Sequence, residues 1–421
     1  MSGINDDPGA TDGPPGQARE AMMRNLRISV LAGTLALAVA GLAQAQTAAD
    51  LKTKTFQAAQ VLFWNQAQKE AYFPHMEDQF DVHTVKAGSH VTPLPDGAPL
   101  GELKIKAGDK TLSVDDFMAE QKTAGLLVVQ DGKVRLEKYG LGYGPKGRWT
   151  SFSVAKSFSS TLLGAAIKDG YIKSVDDLVT TYLPGLKGSG YDGVTIRQIL
   201  TMTSGVRWNE DYSDANSDVA RFFMVKPAPG EDPTVAYMKT LPREAAPGTK
   251  WVYKTGETNL IGVIVTAATH RTLADYLTEK VWGPAGMEQD AVWMVDPRGQ
   301  EVGGCCLSVS LRDYGRMGMF MIGGARGADG KSIVPEGWIP AATRGGMDTG
   351  WNGYSYGYQW WTRKDGTYDA VGIFGQMIHI DPARKLVVVI NSAWATAESG
   401  AHAPVRKALI DAISAAADKA S

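Results

Sequence analysis

Cysteine is nearly absent from this chain. Of 421 residues only Cys305 and Cys306 are cysteines, and they are neighbours. No Cys-x-x-Cys pair and no Cys/His cluster occurs, so the spacing a zinc site needs is missing and no metal is expected. A bond between adjacent cysteines closes a strained ring, so two reduced, buried thiols are expected instead. An excess of one charge is also missing. Against 45 Asp and Glu stand 43 Lys and Arg, a formal net charge of -2, and no Lys/Arg-rich run occurs. Such a surface has no field to gather nucleic acid or an acidic membrane, and neither is expected as a partner. Internal repeats are lacking, and so is the strand-helix-strand alternation of a doubly wound parallel sheet. What remains is ordinary globular composition, 44% hydrophobic and 21% charged. The length allows two or three domains.

The N-terminus carries an address. Residues 1–22 are rich in Gly, Pro and Asp and read as a disordered leader. A basic stretch, Met23-Arg24-Asn25-Leu26-Arg27, precedes an apolar run from Ile28 to Leu42 that ends in Ala43-Gln44-Ala45. Basic, apolar, then small-x-small is the order of a secretory signal peptide, with cleavage expected after Ala45. Translation is expected to start at Met22 or Met23, which makes the leader a start-site artefact. The run is short for a membrane span, and no Cys follows it for lipid attachment, so no stable anchor is expected after cleavage. A periplasmic or secreted protein is the expectation.

Residues 46–110 read as an N-terminal extension, with a helix over 51–71 and a Gly/Pro-rich loop over 88–99. The main domain is expected over 111–421. Within it, Leu126–Val129 and Val134–Glu137 flank Asp131-Gly132, a hairpin pattern. A helix is expected over Ser153–Lys168, stopping at Asp169-Gly170. The middle, about 171–345, reads as helix and loop, with long helices over Ile261–Val281 and Leu311–Ile322. Strands return at Tyr356–Trp361, Asp369–Phe374, Gln376–Ile380 and Lys385–Ser392, before a final helix over about 404–419. Turns of hairpin length argue for antiparallel pairing. The expected fold is therefore α+β: an antiparallel sheet from both chain ends, flanked by helices, with a helical insertion.

The residues that carry chemistry begin with Ser153-Val154-Ala155-Lys156, the one Ser-x-x-Lys in the chain. Residues three apart share a helix face. A serine hydroxyl needs a base to attack. A lysine serves as that base once burial disfavours its charge, and Phe152, Val154, Ala155 and Phe158 supply the apolar surroundings. The helix N-terminus further disfavours a cation there.

Phe152-Ser153-Val154-Ala155-Lys156-Ser157-Phe158 resembles the active-site helix of the serine β-lactamase and penicillin-binding-protein superfamily. Leu178–Pro184 and Ile196–Gly205 are similar to its class C-like branch of esterases and 6-aminohexanoate-dimer hydrolases. The likeness runs from about Leu126 to the C-terminus. It implies a β-lactamase-like fold and an acyl-enzyme on Ser153 with Lys156 as base, without metal or organic cofactor. It also implies that Tyr253, ahead of Asn259-Leu260-Ile261-Gly262, takes the role of the family's proton-shuttling tyrosine. Thr255 then stands where the family has Asn. Lys254-Thr255-Gly256 spells the family's third motif but precedes a helix, whereas that motif belongs on a late strand. Gly372-Ile373-Phe374-Gly375-Gln376 is its expected equivalent, with Ile373 in place of the cation that holds a substrate carboxylate and Gly375 as its glycine. The resemblance sets the oxyanion hole on the backbone N–H groups of Ser153 and Gln376, and a substrate-closing tyrosine at Tyr212. Glu210 and Asp211 read as solvated charges.

Hydrolysis of a small amide or ester is the leading expectation: a linear amide of the 6-aminohexanoate type or a short carboxylic ester. The alternatives are a β-lactamase or D-alanyl peptidase, both weakened by Ile373, and a catalytically silent peptidoglycan-binding module. A Ser-His-Asp triad would need His379, which falls on an expected strand. The sequence leaves the oligomeric state open.

Overall fold

In the computed structural model, strands from the two ends of the chain lie side by side. The structure describes residues 58–419 apart from 352 and 399, all within the unit Thr55–Ser421. The leader, the signal segment and its cleavage position lie outside the described residues. Among the described residues no helix is long and apolar enough to cross a membrane.

The described residues form fourteen strands, in chain order β1 Val82–Val85, β2 Ile105–Ala107, β3 Lys110–Leu112, β4 Thr123–Gln130, β5 Lys133–Tyr139, β6 Trp149–Thr150, β7 Ala291–Met294, β8 Leu307–Val309, β9 Met347–Trp351, β10 Tyr354–Tyr356, β11 Trp361–Thr362, β12 Tyr368–Gly372, β13 Gln376–Asp381 and β14 Leu386–Ser392. The main sheet has the order β5-β4-β14-β13-β12-β11-β10-β9, so β4 from the early chain pairs with β14 from the late chain. Each of these pairings is antiparallel. A second sheet, β1-β7-β8-β6, draws β1 from before residue 111. This is the β-lactamase-like α+β architecture that the sequence implies, with helices between the two sets of strands.

Alternation explains the central strands. Leu126 and Val128 of β4, with Val388 and Ile390 of β14, face the C-terminal helix His402–Lys419, where Leu409, Ile410 and Ile413 complete a core cluster. The residues between them point the other way. A Cβ on Gly315 would stand 2.7 Å from Leu127, and one on Gly318 2.5 Å from Val387. The helix Leu311–Ile322 thus lies directly against that second face, and both strands are buried along their whole length. The β4–β5 hairpin turns at Asp131 and Gly132, with φ of 49° and 72°. Positive φ at both positions matches strand twist, which is why Asp-Gly signals this turn.

Several elements depart from their expected form. The helix expected over 51–71 is broken in its described part, into Ala58–Leu62 and Gln66–Tyr72, because Asn65 and Gln68 form a capping box that starts a new helix. The helix expected from Ile261 begins at Thr255 and ends at Thr269, where His270 takes φ 55°. A second helix starts at Leu273 under a Thr272 cap. Tyr356–Trp361 is not one strand: Tyr356 ends β10, Trp361 opens β11, and 357–360 form the turn between them. Buried Gln359, at φ 63°, donates to Ile199 O (3.2 Å) and Leu200 O (2.8 Å), which folds the aromatic run back on itself. Cys305 and Cys306 are joined in a disulfide rather than held as two thiols. Cys306 takes φ 67°, and this positive-φ backbone is where the strain that argued for two thiols is accommodated.

Candidate active site

Two turns meet to form the site. The helix expected from Ser153 begins at Ala155 instead, and Ser153 sits in a 3₁₀ turn, Phe152–Val154, entered with Phe152 at φ 44°. The second turn, Ile373–Gly375, links β12 to β13 and holds Phe374 at φ 59°. Non-glycine residues pay about 1–3 kcal/mol for such backbone angles. The two rings offset this by packing on each other at 5.1 Å and on Phe73 at 5.0 and 5.6 Å. Aromatic contacts of this kind contribute about 0.5–1.5 kcal/mol each beyond burial. Gly372 is required at the junction, because a Cβ there would stand 2.5 Å from Ser151 O and 3.1 Å from Ser153 N. The rest of Ser151–Ala155 is buried, whereas Ser153 is partly open.

Lys156 is 1% exposed. Its Nζ reaches Ser153 Oγ (3.0 Å), Thr255 Oγ1 (3.0 Å) and Gly304 O (2.8 Å). Burial pushes its pKa down to about 8, opposed by the charge of Glu210. Gly304 is held in turn by Asn259, whose Oδ1 accepts from Gly304 N at 2.7 Å.

Glu210 is the residue that sequence reasoning missed. It is not a solvated charge. Its carboxylate accepts from Thr255 N (2.9 Å), Thr255 Oγ1, Trp208 Nε1 and Tyr212 Oη (2.7 Å). A lone carboxylate in a loop carries no pattern that would single it out. Its effect on Lys156 is directional. Thr255 gives its hydroxyl proton to Glu210 and can then only accept from Lys156. Gly304 O can also only accept. A neutral amine has two hydrogens and one lone pair. Both hydrogens are claimed, so the lone pair is left for Ser153.

Tyr253 lies beside Lys156, whose Nζ stands 5.1 Å from the ring centroid, and its ring stacks on Trp361 at 5.6 Å. Burial, reinforced by Glu210, raises its pKa far above the ordinary tyrosine value. It therefore stands as a phenol. Lys254 turns away from the site into a buried pair with Glu257 at 3.7 Å, and Thr255 opens a helix.

Ser153 lies where two cavities meet. The smaller, about 40 Å³, includes Phe152, Thr255, Cys305 and Cys306 in its wall. The larger, about 470 Å³, includes Tyr253, Trp251, Trp351 and Trp361. Tyr212 and Ile373 line both. Gly375 and Gln376 line neither. Gly375 packs against Trp394 and Ser392, and Gln376 is buried with its amide donating to Phe374 O (3.1 Å) and Ser392 O (2.7 Å). The lining thus favours Ile373 over Gln376 as neighbour to the nucleophile. His379 pairs with Asp369 at 2.6 Å on β13 and lines neither cavity.

The sequence model of the beta-lactamase family matches residues 113–412, most of the chain. The chain belongs to the beta-lactamase family. It is a hydrolase of that family's serine type. The 6-aminohexanoate-dimer hydrolase of Paenarthrobacter ureafaciens is 29% identical over 348 residues, covering 79% of this chain and 87% of its own. A Bacillus anthracis structure provisionally named a 6-aminohexanoate-dimer hydrolase superposes with a TM-score of 0.70 at 22% identity, over 82% of this chain and 93% of that one. EstCE1, described as a hydrolase with promiscuous acyltransferase activity, gives 0.55 at 15% identity, over 69% and 95%. These two structural likenesses carry the fold alone.

The lysine environment sets a pH dependence. A base must be neutral to act, so with Lys156 as the base the rate on a short ester is expected to rise with pH through a midpoint near 8, the value to which burial brings that lysine. Glu210 holds that value up. Glu210→Gln removes the charge, so the midpoint moves to lower pH. A pH–kcat/KM profile of both proteins checks this, and a midpoint that stays or rises overturns it.

Proposed function

We propose that the protein is an exported serine hydrolase that cleaves an amide or ester through an acyl-enzyme on Ser153. The observation that carries this reading is the contact of Ser153 with Lys156 Nζ (3.0 Å), with Tyr253 on the same wall of the aromatic cavity that Ser153 lines. Ser153 Oγ attacks the carbonyl carbon as Lys156 takes its proton. The oxyanion is held by the backbone N–H groups of Ser153 and Ile373, where pre-set dipoles act without reorganising. Tyr253 gives its proton to the departing amine or alcohol, and Lys156 restores it. Water then attacks the acyl-enzyme, with its proton passing back through the same pair, and the acid leaves. No metal or organic cofactor enters a step. Export to the periplasm or medium rests on the N-terminal segment.

The substrate side is supported by apolar Ile373 and the aromatic walls, which suit a linear amide of the 6-aminohexanoate type or a short ester. A screen of nitrophenyl esters, nitrocefin and short linear ω-amino amides, with fluorophosphonate labelling, tests the reading. Labelling at Ser153, turnover of esters and weak turnover of nitrocefin are expected. An absence of any Ser153 adduct in folded protein overturns the enzyme reading. Nitrocefin turnover equal to that of the esters overturns the part assigned to Ile373.

A further inference from the structure

Lys69 lines neither of the cavities that meet at Ser153, yet it is 3% exposed. It sits on the helix Gln66–Tyr72, ahead of the family-matching stretch that begins at residue 113. No carboxylate acts on it among the described residues. Its Nζ donates instead to Trp394 O (3.1 Å) and Ala395 O, and stands 4.7 Å from the centroid of the Phe374 ring. Two carbonyl oxygens and an aromatic face all favour a positive charge. Burying a lysine without a counter-ion is costly to the fold. The groups that hold this one all lie beside the nucleophile.

The turn Ile373–Gly375 and the segment 393–397 are tied into one unit. Trp394 N donates to Phe374 O (3.1 Å), and Phe374 N donates to Ala397 O (3.0 Å). A Cβ on Gly375 would stand 2.6 Å from the Trp394 ring, so the backbone of the turn lies directly on that indole. Lys69 grips both halves of the unit, the carbonyls of Trp394 and Ala395 and the ring of Phe374. Gln66, on the same helix, donates to Ala393 O (2.8 Å). The helix ends at Phe73, whose ring packs on Phe374 and Phe152 and whose carbonyl accepts from Thr150 N (3.1 Å). One helix from the N-terminal extension therefore reaches both turns that bracket Ser153.

We infer that Lys69 is a positioning residue for the oxyanion hole, fixing the turn Ile373–Gly375 so that the Ile373 N–H meets the charge that develops on the substrate oxygen. This rests on the hydrolase reading above. Phe374 holds φ 59°, and a residue in that region stays there only when its surroundings over-determine it. Hydrogen bonds from a charged donor are roughly twice as strong as neutral ones, which suits an ammonium to the task. Placement governs rate because oxyanion donors act only when aimed beforehand, and losing one costs about a hundredfold to a thousandfold. A donor that is kept but displaced costs less than its loss.

The experiment measures kcat and KM on nitrophenyl acetate, and the affinity for phenylboronic acid, in wild type, Lys69→Met, Lys69→Arg and Gln66→Leu. Phenylboronic acid takes Ser153 Oγ as a fourth substituent on boron and so mimics the tetrahedral intermediate. Lys69→Met keeps the apolar stem and removes the charge. It is expected to lower kcat by about tenfold to a hundredfold and to move KM by less than about threefold. Boronate affinity should fall with kcat, since both report the tetrahedral state. Lys69→Arg should recover part of both losses, and Gln66→Leu should show a smaller loss of the same kind. Lost packing alone would not single out kcat and the boronate over KM. Circular dichroism and thermal melting report whether each variant folds. A folded Lys69→Met with kcat within about twofold of wild type overturns the inference, and so does a loss carried by KM with boronate affinity unmoved. Should Lys69→Met not fold, Gln66→Leu decides, and unchanged kcat and boronate affinity in it overturn the inference. If wild type turns over nitrophenyl esters through Ser153 in these cases, the hydrolase reading stands and only Lys69 loses its role. If wild type shows no such turnover and no adduct on Ser153, both fall.

Discussion

Replacing Ser153 by alanine abolishes hydrolysis of short nitrophenyl esters, and replacing Lys156 by methionine does nearly the same. Each single variant is expected to lose at least about a thousandfold in kcat, because a nucleophile and its base act as one unit. The double variant should therefore be no slower than either single one. Initial rates on the three proteins check this. If the double variant lost the product of the two single effects, Ser153 and Lys156 would be acting independently, and the assigned pair would be wrong. The 3.0 Å contact and the lone pair left facing Ser153 are the reasons to expect a unit.

The same lysine makes an opposite forecast for stability. Its pKa is near 8 in the fold and near the ordinary lysine value in the unfolded chain. Below 8 both states hold the proton, and the fold bears the full cost of a buried ammonium. Between 8 and the unfolded value the fold sheds its proton first, and stability rises with pH. At neutral pH the cost is about 3 kcal/mol on the scale of one pKa unit per 1.36 kcal/mol. Lys156→Met removes that cost and strands Gly304 O, which takes some of the gain back. The inactive variant should therefore melt no lower than wild type at pH 7. A lysine kept at a cost to folding is what a tuned base requires.

How much of this was legible before the coordinates depends on the range of the interaction. Local chemistry was readable. Asp131-Gly132 gave its hairpin, and the helix Leu311–Ile322 fell where its pattern placed it. Ser153 and Lys156 are three residues apart, so one turn brings them together. Thr255 and Gly304 are brought to Lys156 from 99 and 148 residues away, and Glu210 is brought to Thr255 from 45 away. No spacing rule reaches that far. Local rules also misled where tertiary contact decides. The aromatic run at Tyr356–Trp361 suits a strand, yet a buried Gln359 reaching Leu200 O makes it a turn. Gln376 followed a motif count, whereas Ile373 stands beside Ser153 because Gly372 lets the backbone approach.

Replacing Tyr253 by phenylalanine should divide substrates by leaving group. The fold holds Tyr253 as a phenol, and a phenol has a proton to give. An amide's amine must gain a proton to depart, and a positioned general acid contributes about a hundredfold to ten-thousandfold. Nitrophenolate departs without one. Tyr253→Phe is therefore expected to slow linear amides by about that range and nitrophenyl acetate by roughly tenfold or less. Phenylalanine keeps the stacking on Trp361, so the cavity wall survives and KM should move little. Measuring kcat on both substrates separates the roles. Equal losses on amide and ester would make Tyr253 a partner of Ser153 activation instead, with the hydroxyl acting on the attacking oxygen. A loss confined to the amide fixes it as the donor to the leaving group. That outcome would also fix the side of the nucleophile on which the leaving group lies, since Tyr253 lines one cavity and not the other.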